Sequence, residues 1–347
     1  MILWFVLIGV LALWGIGFRS KGFFDDYIGV QQCNAIKGLF ILVVFVRHIY
    51  PYIIGSGCDM SGRLDGLGLR LDGMIGQLLV VMFLFYSGYG VMESIKRKGS
   101  CYVRDIPKHR VLTTMLNFGV AVAAFVLLNL ALGIERTWDE ILLAFTGWTS
   151  VGNSNWYIFV IVLCYLLTYF AFRKNADNVH NYAMGGVALL ALSFVALLAL
   201  WRTRPVWWYD TLLCYPAGVL FSIHKDCIEC MVKRRYWLSV AVMLAVFLLL
   251  YNIHRDFAEI RYNMLSVTAA LLVVLITMKV RIGNLALVWL GRNLFPLYIY
   301  QRIPMIALAT VCGGIIPREY SEAYFVGSLA VVVGITFCYK YLQIKLK

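Results

Sequence analysis

Stretches of about 20 mostly apolar residues recur along the whole chain, and this pattern restricts its fold more than any other feature. An α-helix of that length crosses the roughly 30 Å hydrocarbon core of a bilayer. Hydrophobic residues make up 62% of the sequence and charged residues 14%, whereas a soluble domain is about half apolar and about a quarter charged. We therefore predict an all-α, polytopic integral membrane bundle. Its spans number about eleven, at residues 2–18, 35–54, 75–93, 111–133, 156–172, 184–200, 207–223, 237–252, 263–278, 294–312 and 323–342.

The apolar runs leave no stretch long enough for a separate soluble domain. We predict one membrane domain at residues 33–347, preceded by an extra transmembrane helix and a cytosolic connector at residues 1–32. The first apolar run lacks the positively charged segment and the small-residue cleavage site of a secretory signal. We therefore expect this run to be retained as a helix.

The distribution of Lys and Arg residues predicts the orientation in the membrane. The formal charge is +13, but the cations cluster in short segments between apolar runs, a pattern that sets topology and does not indicate nucleic-acid binding. One alternate set of segments holds 20 of the 31 Lys and Arg residues, and the other set holds 8. Since cytosolic segments carry the excess of cations, the amino terminus is expected outside and the carboxyl terminus in the cytosol.

The nine cysteines are scattered and do not resemble a disulfide framework. Cys227 and Cys230 form a C-x-x-C sequence near His224, which raises the alternative of a metal site. No fourth ligand is apparent in the sequence, and the segment belongs to the cation-rich cytosolic set. We therefore expect no metal.

A charged residue inside a membrane span costs about 2.5 to 3.5 kcal/mol on insertion scales, and four ionisable residues stand out in the predicted spans. They are Lys37, Arg47, His48 and Arg302. Lys37 and His48 are eleven residues apart, which places them on one helix face with about 16 Å of helix rise between them. Lys37 can be a snorkelling residue at a helix end, and Arg47 with His48 can be an interfacial pair bonded to headgroups.

A functional alternative for these residues is acyl transfer. Neutral imidazole is the general base best suited to physiological pH, and His48 could take a proton from a hydroxyl that attacks an acyl thioester. An anionic donor such as coenzyme A needs cations on the cytosolic side. Lys37, Lys108 and Arg110 could supply them.

Two further segments have both a packing and a functional interpretation. FLFYSGYG, at the end of the third run, contains Ser87 and two glycines, which are more often packing positions than catalytic ones because no G-x-S-x-G turn surrounds the serine. GNSNWYIF opens the fifth run with Asn155, Trp156 and Tyr157, residues typical of an interfacial aromatic anchor. The alternative is a rim of aromatic and amide side chains that binds carbohydrate.

Several of these motifs together resemble acyltransferase family 3, the bacterial membrane proteins that O-acylate surface polysaccharides. The helix NAIKG to RH is similar to the family's first helix, with Lys37 where the family has Arg and His48 at the His position. YVRDIPKHRVL resembles the basic cytosolic segment, with Lys108 and Arg110 at the R-x-R positions. FLFYSGYG and NSNWYIF resemble two later motifs. LGRNLFPLYIYQ resembles the closing signature, with Gln301 at the His position.

The resemblance covers residues from about Cys33 to Gln301 and implies a function. It implies a stand-alone membrane O-acyltransferase, without a soluble esterase-like domain, in the bacterial cytoplasmic membrane. The donor would be acyl-CoA, with an acetyl group expected, and the acceptor an extracytoplasmic glycan or glycolipid. The implied catalytic residues are His48 and Lys37, and the implied donor cations are Lys108, Arg110 and Lys37. Acceptor contacts would come from Asn155, Trp156 and Arg47.

Three other classes of protein remain compatible with the sequence. A secondary transporter or exporter of lipid-linked saccharides could use intramembrane cations to line a substrate path, and Pro296 and Pro304 could kink the helix that carries Arg302. An unrelated membrane-bound O-acyltransferase fold could perform the same chemistry. A structural subunit could retain the fold after losing activity, which would fit Gln301 at the family's His position.

Overall fold

The computed structural model describes residues 2–57, 62–252 and 258–346. Arg255 and Lys347 lie outside the described residues. Each was counted in one of the two sets of Lys and Arg residues from which the orientation is predicted. Helices dominate the described part of the chain: α1 Ile2–Leu13, α2 Val30–Gly55, α3 Arg63–Ile75, α4 Val81–Ile106, α5 Thr113–Ala131, α6 Trp138–Ala144, α7 Trp156–Phe172, α8 Tyr182–Thr203, α9 Cys214–Ile223, α10 Lys225–Arg234, α11 Tyr236–Asn252, α12 Ala258–Thr277, α13 Leu285–Arg292, α14 Leu294–Tyr300, α15 Arg302–Val311 and α16 Ser321–Leu342. The two strands are β1 Ile16–Phe18 and β2 Val280–Ile282.

The described helices confirm the predicted polytopic helical membrane class. Six segments are long and apolar enough to cross a membrane, and the bent pair of α10 and α11 raises the number to seven. The six segments are Val30–Gly55, Arg63–Ala131, Val179–Thr203, Ile260–Thr277, Leu294–Val311 and Arg318–Leu342. Helices α1, α7 and α9 are apolar but shorter than 18 residues. The finer count of about eleven spans stays a prediction.

Several predicted spans differ from the observed helices at their ends. The first helix stops at Leu13, and residues 16–18 form β1, which pairs with β2 in antiparallel register. The turn before β1 needs Gly15, whose φ of +80° is unfavourable for other residues. At the start of the predicted seventh span, Val206–Trp208 form a short 3₁₀ helix and residues 209–213 form turns, so helix α9 begins only at Cys214.

The helix predicted at residues 294–312 is present as the apolar segment Leu294–Val311, in which Gln301, with helical φ and ψ of −56° and −30°, separates α14 from α15. Pro304 has no N–H to donate to the carbonyl of Tyr300, so the helical ladder is interrupted here. The basic segment predicted as a cytosolic loop is instead helical. Helix α4 is kinked at Gly99, whose φ is +58°, and its second part runs to Ile106 and continues into α5 through a π-helical turn at Pro107–Leu112.

Glycine permits two helix crossings at backbone contact distance. A methyl group at Gly38 would lie 1.9 Å from the carbonyl oxygen of Leu287, and one at Gly291 would lie 1.8 Å from that of Asn34, so α2 and α13 touch through both glycines. Helices α4 and α9 meet in the same way at Gly88 and Gly218. The packing interpretation of FLFYSGYG therefore holds for Gly88.

The direction of α2 defines two ends of the bundle. At one end Gln32 donates a hydrogen bond to the carbonyl of Val280 and accepts one from the Ile282 N–H, which ties α2 to β2. We call this the sheet end. At the other end, the far end, Arg318, in the short 3₁₀ helix just before α16, binds Asp65 of α3 with an Nη2 to Oδ2 distance of 2.8 Å. Helix α2 spans the bundle between them.

Asn263 of α12 fixes the turn before α9. It is fully buried, its Oδ1 accepts from the Leu213 N–H at 3.1 Å, and its Nδ2 donates to the Tyr209 carbonyl at 2.9 Å. Asn263→Ala leaves two buried backbone groups without these partners, so we expect it to lower the free energy of unfolding by about 1–3 kcal/mol. Denaturant unfolding in detergent measures this loss. The exposed Asn252→Ala is the control, and equal effects of both changes would contradict the prediction.

Candidate active site

His48 lies in the far half of α2 beside the break between α14 and α15. Its ring centroid is 6.2 Å from that of Tyr298, and its imidazole interacts with the side chains of Gln301, Arg302 and Arg47. The Nδ1 atom is buried and makes no hydrogen bond to any residue that the structure describes. An imidazole with a free ring nitrogen beside two guanidinium groups can serve as a base for a bound hydroxyl.

Gln301 is the polar side chain that the helix break brings to His48. It is fully buried, and its Nε2 donates to the Tyr298 carbonyl at 2.8 Å. Its Oε1, like the Nε of Arg302, is buried without a hydrogen bond of standard geometry within the described ranges. In the sequence, Gln301 stands out only because it occupies the position at which the family motif has His. The structure shows that this glutamine lies next to His48, the candidate base.

The segment before α7 closes the far side of this site. Tyr298 lies 5.3 Å from Tyr157 between ring centroids, and its hydroxyl interacts with Ser154. Asn153 is buried, and its Oδ1 accepts from Ser150 Oγ and the Val151 N–H. The buried Nδ2 of Asn153 has no partner among residues 2–57, 62–252 and 258–346. Sequence reasoning did not select Tyr298, because its proximity to His48 depends on the packing of distant helices.

The residues predicted to bind the acyl acceptor, Asn155, Trp156 and Arg47, lie at the far end. Each of them also contacts another residue of the protein. Asn155 donates to the Gly147 carbonyl at 2.8 Å, which fixes the loop before α7. The indole of Trp156 lies edge-on to Tyr157, with 5.9 Å between ring centroids. Arg47 pairs with Asp72, with 3.2 Å between Nη1 and Oδ2, and also donates to the Asp72 carbonyl at 2.8 Å. Arg47 thus joins α2 to α3.

Lys37 lines a cavity of about 610 Å³ at the sheet end, between α2 and α4. The other charged lining residues are Glu93, Lys96 and Arg97. Lys96 lies 3.1 Å from Glu93, whereas Lys37 makes no ion pair within the described part of the chain. Lys37 and His48 share one continuous helix, as predicted, and Lys37 opens to a space that an anion can enter.

Lys108 and Arg110 lie on the π-helical turn between α4 and α5. Lys108 is exposed, and its carbonyl accepts from Thr113. The Arg110 Nε donates to the Tyr102 hydroxyl at 3.1 Å, and its guanidinium also interacts with Tyr165. Arg110 is therefore an exposed residue of the sheet end that interacts with the partly buried Tyr165.

No group of three or more His, Cys, Asp or Glu side chains suited to a metal ion occurs among the described residues. Cys227 and Cys230 are free thiols on the exposed side of α10. The neighbouring Glu229 is occupied by Lys225, Lys233 and the hydroxyl of Tyr27. The C-x-x-C sequence thus has no set of ligands around it.

Comparison with protein families gives one finding that covers most of the chain. A family model described as an acyltransferase domain matches residues 30–340. Comparisons with curated proteins and with solved structures gave no match. The matched range begins at α2, includes His48 and Gln301, and leaves α1 outside.

Proposed function

This membrane protein belongs to the acyltransferase family whose domain spans residues 30–340, and from this membership we propose that it transfers an acyl group from acyl-CoA to a hydroxyl of an extracytoplasmic glycan or glycolipid. The acyl group is expected to be acetyl. The observation that carries the proposal is the group of buried polar atoms around His48 that make no hydrogen bond of standard geometry to the described residues, namely His48 Nδ1, Gln301 Oε1 and Arg302 Nε. Such atoms are costly in a protein interior unless a ligand satisfies them.

The chemistry assigned to His48 is general-base catalysis. Its imidazole takes the proton of the acceptor hydroxyl while that oxygen attacks the thioester carbonyl, so a C–O bond forms and the C–S bond breaks. The proton then passes from the imidazolium to the departing thiolate of coenzyme A. Arg302 and the Gln301 amide supply N–H groups for the developing oxyanion. The alternative is a transient acyl-His48 intermediate, which splits the transfer into two steps.

The orientation proposed for the chain places the sheet end in the cytosol. The cation-rich segments include those next to β1 and β2 and the end of α16, and cytosolic segments carry such an excess. Coenzyme A would then meet Lys37, Lys108 and Arg110 from the cytosol. The acceptor would approach the far end, near Asn155, Trp156 and Arg47, with the amino terminus outside the bacterial cytoplasmic membrane.

A transporter of lipid-linked saccharides is the second candidate, because Arg302 is a cation inside the apolar segment Leu294–Val311 and intramembrane cations often line substrate paths. The experiment that separates the candidates uses purified protein, labelled acetyl-CoA and a panel of glycans. Transfer of label to a glycan supports the acyltransferase. Saccharide movement across vesicles without donor turnover supports the transporter and overturns the proposed function.

Gln301 provides a test of the site around His48. We expect Gln301→Ala to lower kcat about ten- to hundredfold, because the amide next to His48 that supplies an N–H group for the developing oxyanion is removed. Gln301→His keeps a polar side chain at this position and should retain more activity than the alanine variant. The measurement is kcat and its pH profile with saturating acetyl-CoA. Unchanged kcat in Gln301→Ala would show that the residue has no role in transfer.

A further inference from the structure

A second cavity at the sheet end, between α5, α7, α14 and α16, has the charge expected of a phosphate site. Its volume is about 380 Å³, and its lining includes Arg110, Tyr165, Arg292 and Lys340 but no Asp or Glu among the described residues. We call it the Arg292 cavity. Arg292 and Lys340 make no ion pair with any carboxylate that the structure describes, and the Lys340 ammonium lies 4.8 Å from the Tyr341 ring centroid. Arg292 and Lys340 are exposed, and no carboxylate of the described residues neutralises them.

A row of packed side chains lies between the Arg292 cavity and His48. Tyr165 lines the cavity, and Ser87 lies near both Tyr165 and Tyr157. Tyr157 packs against Tyr298, and Tyr298 packs against His48, with ring centroids 5.3 and 6.2 Å apart. Hydroxyl and aromatic groups thus follow one another from the sheet end to the candidate base.

The Lys37 cavity, which is the cavity of about 610 Å³ lined by Lys37, Lys96 and Arg97, also has a carboxylate in its wall. It contains Glu93, which accepts hydrogen bonds from Lys96 and from Ser222 Oγ and so adds negative charge to the wall. Of the two cavities, the Arg292 cavity offers the better match to a polyanion whose other end must reach His48.

The carboxyl-terminal segment forms one wall of the Arg292 cavity. The Asn117 Nδ2 donates to the Ile344 carbonyl at 2.9 Å, and the Asn117 Oδ1 accepts from the Ile344 N–H at 3.0 Å. This paired bond holds Gln343 at the cavity, one turn after Lys340. The wall is therefore built by side chain to backbone hydrogen bonds and is not a loose end of the chain.

We propose that the phosphates of the acyl-CoA donor bind in the Arg292 cavity, with Arg292 and Lys340 as phosphate ligands beside Arg110. The pantetheine arm then runs past Tyr165, Ser87 and Tyr157, and the thioester reaches His48. Guanidinium and ammonium groups bind phosphate through charge-assisted hydrogen bonds. This inference rests on the proposed function, because it names the place where the proposed donor binds.

The test measures the Kd of coenzyme A for the full-length protein in detergent by calorimetry. We expect Arg292→Gln and Lys340→Gln each to raise this Kd about tenfold, since a charge-assisted hydrogen bond to phosphate is lost in each variant. Arg292→Lys keeps the charge and should bind more tightly than Arg292→Gln. Arg234→Gln removes an exposed cation from the end of α10 and should leave the Kd within twofold of the unchanged protein. Thermal unfolding of every variant identifies loss of fold.

Three outcomes distinguish the inference from the function on which it rests. Weaker binding in Arg292→Gln and Lys340→Gln, with unfolding temperatures preserved, supports the Arg292 cavity. Unchanged binding in both, together with weaker binding in Arg97→Gln at the Lys37 cavity, overturns the inference and leaves the acyltransferase proposal standing. Absence of coenzyme A binding by the unchanged protein overturns both.

Discussion

His48→Ala is expected to lower the rate of acyl transfer by about 100- to 10,000-fold, the range typical for loss of a general base. The reason is that the acceptor hydroxyl must lose its proton as it attacks, and His48 provides the free imidazole nitrogen that is available for this step. Arg302 is a permanent cation and cannot replace it. The measurement is the initial rate of label transfer from acetyl-CoA at saturating donor concentration.

The control for His48→Ala is the binding of coenzyme A, because His48 lies in the far half of α2 and Arg110 at the sheet end. Donor affinity should stay within about threefold while the rate falls, since no proposed phosphate contact is removed. A folded variant that transfers acyl groups at the normal rate would exclude His48 as the base. Incubation of the unchanged protein with donor alone, followed by a search for labelled imidazole, separates the direct mechanism from the acyl-His48 intermediate.

Much of the membrane architecture could be predicted from the sequence, because crossing a bilayer requires long apolar helices. The predicted run at residues 156–172 coincides with α7, and the run at 323–342 falls within α16. The apolar runs did not predict α3 and α10, because these helices are amphipathic and contain too many charged residues to appear as apolar runs. It also extended the first helix across β1, since Ile16 and Phe18 are as apolar in a strand as in a helix.

The candidate site was only partly predictable for a different reason. The spacing of Lys37 and His48 on one helix follows from helix geometry, so the sequence placed both residues correctly on α2. The contacts of His48 with Gln301, Tyr298 and Arg302 join residues about 250 positions apart and depend on how the helices pack. The ion pair of Arg47 with Asp72 was missed because α3 itself was not predicted.

Gly88→Ala is expected to cause the largest loss of stability among single-methyl changes in α4. The added methyl group would lie 2.1 Å from the carbonyl oxygen of Tyr215, and the opposing atom belongs to a backbone, which cannot rotate away as a side chain can. Helices α4 and α9 must therefore separate, and overpacking of this kind costs about 3 kcal/mol. The measurement is the free energy of unfolding in mixed detergent micelles.

Gly90→Ala is the matched control, two residues along the same helix. A methyl group there meets no heavy atom within 4 Å, and alanine is favoured over glycine inside a helix by about 0.5–1 kcal/mol. We therefore expect Gly90→Ala to be neutral or slightly stabilising, whereas Gly88→Ala is destabilising. Equal effects of both changes would contradict the close crossing. Gly218 of α9 makes the matching close contact with the Phe85 carbonyl of α4. This crossing also places Ser87 near Tyr157 and Tyr165. Gly88→Ala should therefore raise the Kd of coenzyme A as well.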